Sequence, residues 1–252
     1  TGKRPEFYPD TLPPVINIGP GSPTGTTFGY GAKFPSKYQD AMYILDWSWG
    51  KIHAVHTTPN GSSYTATKET FITGSPLPVT DAIIHPDDGA MYFTIGGRRV
   101  QSGLYRVTYV GKESTALVKH QPNVNEPARL RHRLEQFHGR QHSEALNAAW
   151  PHLDHPDRFV RWAAITAVQH QPLAKWKDRA LNEKNSNQRV AALLGLCKVA
   201  AADPANGKPD APLDKQLAAA VYRQLAEVKW DNLDHTGKLG LVRAYQIALV
   251  RF

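Results

Sequence analysis

A change of hydrophobic period near Ala128 constrains this chain more than any other feature. Before it, apolar residues alternate or run in short bursts. After it, they recur at helical spacing. A chain patterned this way folds as strands first and helices second, in separate layers or domains. The strand-like part is clearest over Leu77–Tyr109, which reads as three short strands with two reversals. Ala82-Ile83-Ile84 leads into a Pro86-Asp87-Asp88-Gly89 turn. Met91–Ile95 runs to a Gly96-Gly97 break, and Gly103–Tyr109 closes the set. β-rich runs bounded by Asp-Gly and Gly-Gly are a strong hairpin signal.

A second set of the same kind occupies residues 26–74. Thr26–Tyr30 reads as a strand and Phe34–Asp40 as a turn-rich segment. Ala41–Trp47 is a strand whose continuous apolar run predicts burial on both faces. Trp49-Gly50 reverses the chain, Lys51–Thr57 alternates as a half-exposed strand, and Pro59-Asn60-Gly61 turns into an outer strand over Tyr64–Thr73. Val15–Ile18 predicts a further short strand, and Ser114–Val118 an outer edge strand. Strand sets of this form are the blades of a β-propeller. The loop Gly19–Gly25 lacks the Gly-Lys-Ser/Thr of a phosphate cradle, and Pro20 and Pro23 remove backbone donors, so it reads as a rigid connection.

His120–Pro127 is a linker by composition. Helices are predicted over 128–138, 142–152, 156–169, 172–183, 186–202, 212–228 and 235–250. The stretch His155–Ala164 has a polar start, then Phe-Val-Arg, then an Ala-rich stripe. Asn185–Leu194 repeats that layout about thirty residues later. A helix-pair repeat of this size predicts an α-solenoid, in which neighbours bury what one pair cannot. Asp203–Pro212 reads as an inserted loop. The expected class is therefore β plus α, multidomain: propeller blades over 1–119, a linker over 120–127 and HEAT-like helical repeats over 128–252.

Basic side chains outnumber acidic ones 30 to 22, with 11 against 9 in residues 1–120 and 19 against 13 in 121–252. The excess sits in the helical half, but it is interspersed with acids and lacks the Arg–aromatic clustering of a nucleic-acid module, so no nucleic acid is expected as a partner. The single cysteine, Cys197, reads as a buried thiol and excludes an internal disulfide, a Cys-pair zinc site and a Cys-x-x-Cys-His haem attachment. No run of about 18 apolar residues marks a transmembrane helix. His138 and His142 stand four apart, but Gly139-Arg140 predicts a helix break between them. His53 and His56 fall on opposite sides of one strand.

Several motifs carry a family resemblance: Lys33-Phe34-Pro35 with Tyr38, Met42–Leu45, Asn60-Gly61, Phe71–Gly74, Pro86–Tyr92 and Leu104–Val107. Together they resemble the end of the PQQ-dependent sugar-dehydrogenase type of six-bladed propeller. With helical repeats behind it, the chain resembles the membrane-bound dehydrogenase-like proteins of Planctomycetes, in which a propeller is followed by HEAT-like repeats and often by a c-type cytochrome domain. The resemblance implies an internal segment of a longer protein. It implies PQQ as cofactor, a haem c outside the segment, and further blades supplied by the same or another chain. It also implies a periplasmic or cell-surface location.

The family's cofactor-binding cations match Ser48, Pro78 and Thr80 here, none of which carries a positive charge. Asp46 and Trp47 at one strand end, Asp81 at another, and Arg98 and Arg99 in the loop after Ile95 are the candidates to line a tunnel and contact a cofactor. Each also has a plainer reading, as turn, packing or loop-tip residues. No catalytic residue and no metal ligand is assigned. Two functions follow: a quinoprotein-like dehydrogenase segment passing electrons to a haem, or a non-catalytic propeller–solenoid scaffold that binds proteins.

Overall fold

The computed structural model describes residues 7–97, 99–120, 122, 124–200 and 214–252. It is mixed α/β, with seven strands in two antiparallel sheets and eight helices among the described residues. The chain divides into two units. One comprises residues 14–60 and 64–123; the other comprises 1–13, 61–63 and 124–252. Each has its own apolar core.

The β unit holds a four-stranded sheet in the order β1 (Pro23–Phe28), β2 (Met42–Asp46), β3 (Lys51–Asn60) and β4 (Ser63–Thr73). A three-stranded sheet follows in the order β5 (Val79–Ile84), β6 (Met91–Gly97) and β7 (Val100–Val107). Tyr43 and Leu45 of the first sheet and Val79, Met91 and Phe93 of the second share one buried cluster. Thr24 Oγ1 ties the first strands together by donating to the Val79 carbonyl at 2.8 Å.

The first two strands of the two sheets repeat each other residue by residue. Both first strands carry an irregularity at the same place, between Pro23 and Gly25 and between Val79 and Asp81. Such bulges re-aim a strand without ending its pairing. The Trp47 N–H donates to the Ser22 carbonyl at 3.1 Å, and the Gly96 N–H to the Pro78 carbonyl at 3.0 Å. At the other end, the Gly29 N–H donates to Ala41 and the His85 N–H to Ala90, both at 2.9 Å. Ala41-Met42-Tyr43 and Ala90-Met91-Tyr92 occupy equivalent positions.

Several expected elements are absent or different. Val15–Ile18 and Ser114–Val118 form no strand. The second of these is held instead by Gln39, whose Nε2 donates to the Ala116 carbonyl (2.9 Å) and whose Oε1 accepts from the Val118 N–H (2.9 Å). A side-chain amide has replaced the strand ladder there. The turn-rich segment contains a one-turn helix, α1 (Ser36–Gln39). β3 does not alternate: Ile52–Val55 are all buried and Thr57–Asn60 are all exposed.

The helical unit contains α2 (Glu126–Glu135), α3 (Ala145–Ala149), α4 (Arg158–Gln169), α5 (Lys177–Asn182), α6 (Ser186–Ala200), α7 (Lys215–Ala226) and α8 (His235–Arg251). Side-chain caps explain most of the starts. Asn125, Asp157, Asp214 and Asp234 each accept from N–H groups of the first turn of α2, α4, α7 and α8. Asn185 does the same for α6. Such a cap stabilises a helix by about 1 kcal/mol. The helices expected over 142–152 and 172–183 are broken into short pieces by 3-10 turns at Trp150–His152 and Leu173–Lys175. Pro151 and Pro172 cannot donate there. The expected loop over 203–212 lies outside the described residues.

α6 is the centre of this unit, with Val190, Ala192–Cys197 all buried. A helix apolar on every side belongs inside a core. It packs against α8 through small residues. A methyl group on Gly240 would lie 2.9 Å from Val190 Cγ1. The first described residues complete the unit: the Arg158 guanidinium donates to the Tyr8 and Thr11 carbonyls, and Asp10 is held by Arg243 at 2.9 Å and Lys198 at 3.6 Å. No helix among the described residues is long and apolar enough to cross a membrane.

Candidate functional site

Asp46 ends β2 and is 2% exposed. Its Oδ1 accepts from the N–H groups of Ser22 and Ser48, both at 3.0 Å. The next residue, Trp47, donates its indole N–H to the Gly96 carbonyl at 2.9 Å. The ends of β2 and β6 are therefore pinned together. Arg99 follows in the β6–β7 turn, exposed and in the left-handed region at φ 58°. Asp81 sits on β5 opposite Thr94, exposed, with its carboxylate turned onto its neighbour's N–H, that of Ala82, at 2.9 Å. Arg98 lies outside the described residues. Asp46, Trp47 and Arg99 thus fall at one end of the unit, and each of the two carboxylates is engaged by backbone. Of the positions matched to cofactor cations, Thr80 bonds Thr94 at 2.7 Å and Pro78 serves through its carbonyl.

A cavity of about 320 Å3 opens beside Asp46, between the ends of β2, β3 and β4. Trp49, Lys51, His53, Lys68 and Thr70 line it. The two-residue period of a strand puts Lys51 and His53 on the same side of β3. His53 is 6% exposed, and among the described residues its ring nitrogens have no hydrogen-bond partner. Burial, then the charges of Lys68 and Lys51, hold its pKa below the usual histidine value, with Asp46 acting the other way. Lys68 donates to the Ile18 carbonyl at 2.8 Å. The Trp49 indole N–H is fixed on the Pro20 carbonyl at 2.6 Å, leaving the ring 59% exposed at the rim. His56 is turned away to Glu69 at 2.9 Å, and Glu69 also pairs with Lys37 at 3.2 Å.

Sequence reasoning passed over this group. Trp49 reads as packing and His53 as one of several scattered histidines. The available signal was the alternation of Lys51 and His53, which sets a cation and an imidazole on one strand face directly after the turn that carries Trp49.

The helical unit has its own cavity, of about 350 Å3, lined by Asp154, Arg161, Asn187 and Asp234 over a floor that includes Leu153 and Leu194. Its polar groups serve the fold. Arg161 donates to the His155 and Pro156 carbonyls at 2.5 and 2.9 Å, Asp154 accepts from Gln188 at 3.0 Å, and Asp234 caps α8. His138 is committed to the Ala163 carbonyl at 2.9 Å, and α2 ends at Glu135, so His138 and His142 share no helix face. Burial pushes the Cys197 thiol up to about 12, which keeps it protonated and unreactive. Among the described residues, no group of three or more histidine, cysteine, aspartate or glutamate side chains is set to hold a metal ion.

No protein-family model, no curated protein and no solved structure matches this chain.

Proposed function

We propose that the β unit is a pair of consecutive propeller blades and that the chain works as a binding scaffold of blades and HEAT-like helical repeats. The observation that carries this reading is the residue-by-residue repetition of the first two strands of each sheet, from the shared irregularity after Pro23 and Val79 to the paired bonds Ser22–Trp47 and Pro78–Gly96. Repetition of a small antiparallel sheet is the organising principle of propellers, and stacked helix pairs that of solenoids. Further blades, on the same or another chain, are the partners this reading calls for. The engagement of Asp46 and Asp81 with backbone N–H groups supports a structural role for the residues nearest the end of the sheets.

A quinoprotein-like dehydrogenase segment is the second reading. It is favoured by one observation: exposed Arg99 stands beyond the pinned end of β6, where a cation could meet a quinone carboxylate. In that reading PQQ is the cofactor, a haem c domain takes the electrons, and the protein is periplasmic or at the cell surface. Titration of the purified chain with PQQ, followed by tryptophan fluorescence, separates the two. The scaffold reading expects no saturable quenching. Stoichiometric binding that Arg99→Ala abolishes would overturn it in favour of the dehydrogenase.

A further inference from the structure

We propose that the cavity beside Asp46 is a binding site for a phosphate group on a small planar organic body. Lys51 and Lys68 are its charge partners, His53 its hydrogen-bond partner and the Trp49 ring its wall. The proposal is independent of the blade reading.

Four observations converge. First, a polar side chain that is more than nine-tenths buried lines the cavity without a partner: His53. Its ring nitrogens are not sealed from solvent, so a ligand entering the cavity can take the place of water on them. Second, Lys51 on β3 and Lys68 on β4 bring two ammonium groups to the cavity, and both act on the His53 ring against the carboxylate of Asp46. That carboxylate already accepts two backbone N–H groups. Glu69 also borders the cavity, but its carboxylate is held by Lys37 and His56. Third, Lys51 makes no ion pair among the described residues, so its ammonium is available. Fourth, Trp49 is fixed by its N–H and leaves its ring exposed at the rim, a platform for a flat group.

The chemistry selects among anions. A phosphomonoester carries nearly two charges near neutral pH and presents three acceptor oxygens. It can meet two ammonium groups on different strands and still accept from a neutral imidazole N–H. A carboxylate offers one charge and two oxygens. Two lysine ammonium groups at the same cavity disfavour a metal cation. A bound dianion would favour the imidazolium form of His53, so binding and protonation of that ring are linked.

Isothermal titration of the full chain with phenyl phosphate, inorganic phosphate and benzoate tests this. Phenyl phosphate is expected to bind saturably, at least ten-fold more tightly than benzoate or inorganic phosphate. Lys51→Met and His53→Asn should each weaken it ten-fold or more, whereas Lys112→Met, on an exposed loop, leaves it unchanged. Trp49→Leu should remove the advantage over inorganic phosphate. In the proton spectrum the His53 ring, assigned by its loss in His53→Asn, should titrate at higher pH when phenyl phosphate is present. Absence of saturable binding, equal binding of benzoate, or equal weakening by Lys112→Met would each overturn the proposal. Because Lys51 holds no structural bond, a folded Lys51→Met protein with undiminished binding would overturn it as well.

Discussion

Gly240 offers the most decisive test of the packing at the centre of the helical unit. Replacing an interior helical glycine by alanine normally stabilises by about 1 kcal/mol, through backbone entropy and propensity. Here the new methyl would stand 2.9 Å from Val190 Cγ1, inside van der Waals contact. Val190 is 1% exposed, and its branched side chain has little rotamer freedom in a helix. Overpacking of this kind costs about 1–3 kcal/mol. Taking about 2 as the middle of that range, Gly240→Ala should destabilise the unit by about 1 kcal/mol net. In a Val190→Ala background the opposing methyl is gone. The same substitution should then stabilise by about 1 kcal/mol and partly refill the void. The expected coupling is therefore about 2 kcal/mol, with a change of sign. Urea unfolding followed by ellipticity at the helical minimum reads it directly. With a slope of about 1–3 kcal/mol per molar urea, each step moves the midpoint by roughly 0.3–1 M. If Gly240→Ala has the same sign in both backgrounds, the close approach of α6 and α8 is not what sets glycine there.

Asp157 caps α4 and also accepts from the N–H and hydroxyl of Ser62, both at 2.7 Å. Asp157→Ala should cost about 0.5–2 kcal/mol for the cap alone, and Asp157→Asn less, as measured by thermal unfolding. Burial raises the Asp157 pKa, but the bonds from Ser62, Val160 and Phe159 outweigh it and hold it below the usual value. Its stabilisation is complete above the unfolded carboxylate pKa of about 4 and is lost as pH falls through the lower folded value, so acid unfolding should be shallower in Asp157→Asn. Asp88 is held at about 2, chiefly by the Ala90 N–H and then, against burial, by Tyr92 and Arg106. Carbon-detected titration should place its midpoint there, and Arg106→Gln should raise it. The Cys197 thiol should resist disulfide reagents at pH 8 in the native protein and react fully in denaturant; fast native labelling would contradict its burial in α6.

Much of the order of elements was legible in the residues, because period and turn chemistry are local. The Pro86–Gly89 turn falls where Gly, Asp and Pro place it, whereas β3 runs on through Pro59 and Asn60 and the chain turns at Gly61-Ser62. The helix starts at Asp157 and Asn185 follow from capping. What local pattern could not show was competition from distant side chains. Ser114–Val118 has strand composition, yet Gln39 binds its backbone from more than seventy residues away. The repeated Ala-Met-Tyr at 41–43 and 90–92 was present in the sequence, but its equivalence needs the register to be seen. Among the tunnel candidates, the sequence supplied residue types but not their bonds. Asp46 is a carboxylate at a strand end, and only its two N–H partners mark it as structural. The cavity group was hidden for the converse reason. His53 stands out only once it is known to be buried and unpartnered.

Asp10 has a consequence for how this protein is made. It belongs to the helical unit, yet its partner Arg243 lies 233 residues further along the chain. At about 5–20 residues per second, a ribosome needs roughly 10–50 seconds to travel from one to the other. Throughout that interval the segment around Tyr8 has no Arg243 on which to dock. The helical unit can close only when nearly all of the described chain has been synthesised. A chain trimmed to begin at Val124 would also leave the Arg243 guanidinium and the Lys198 ammonium facing a seat without its carboxylate.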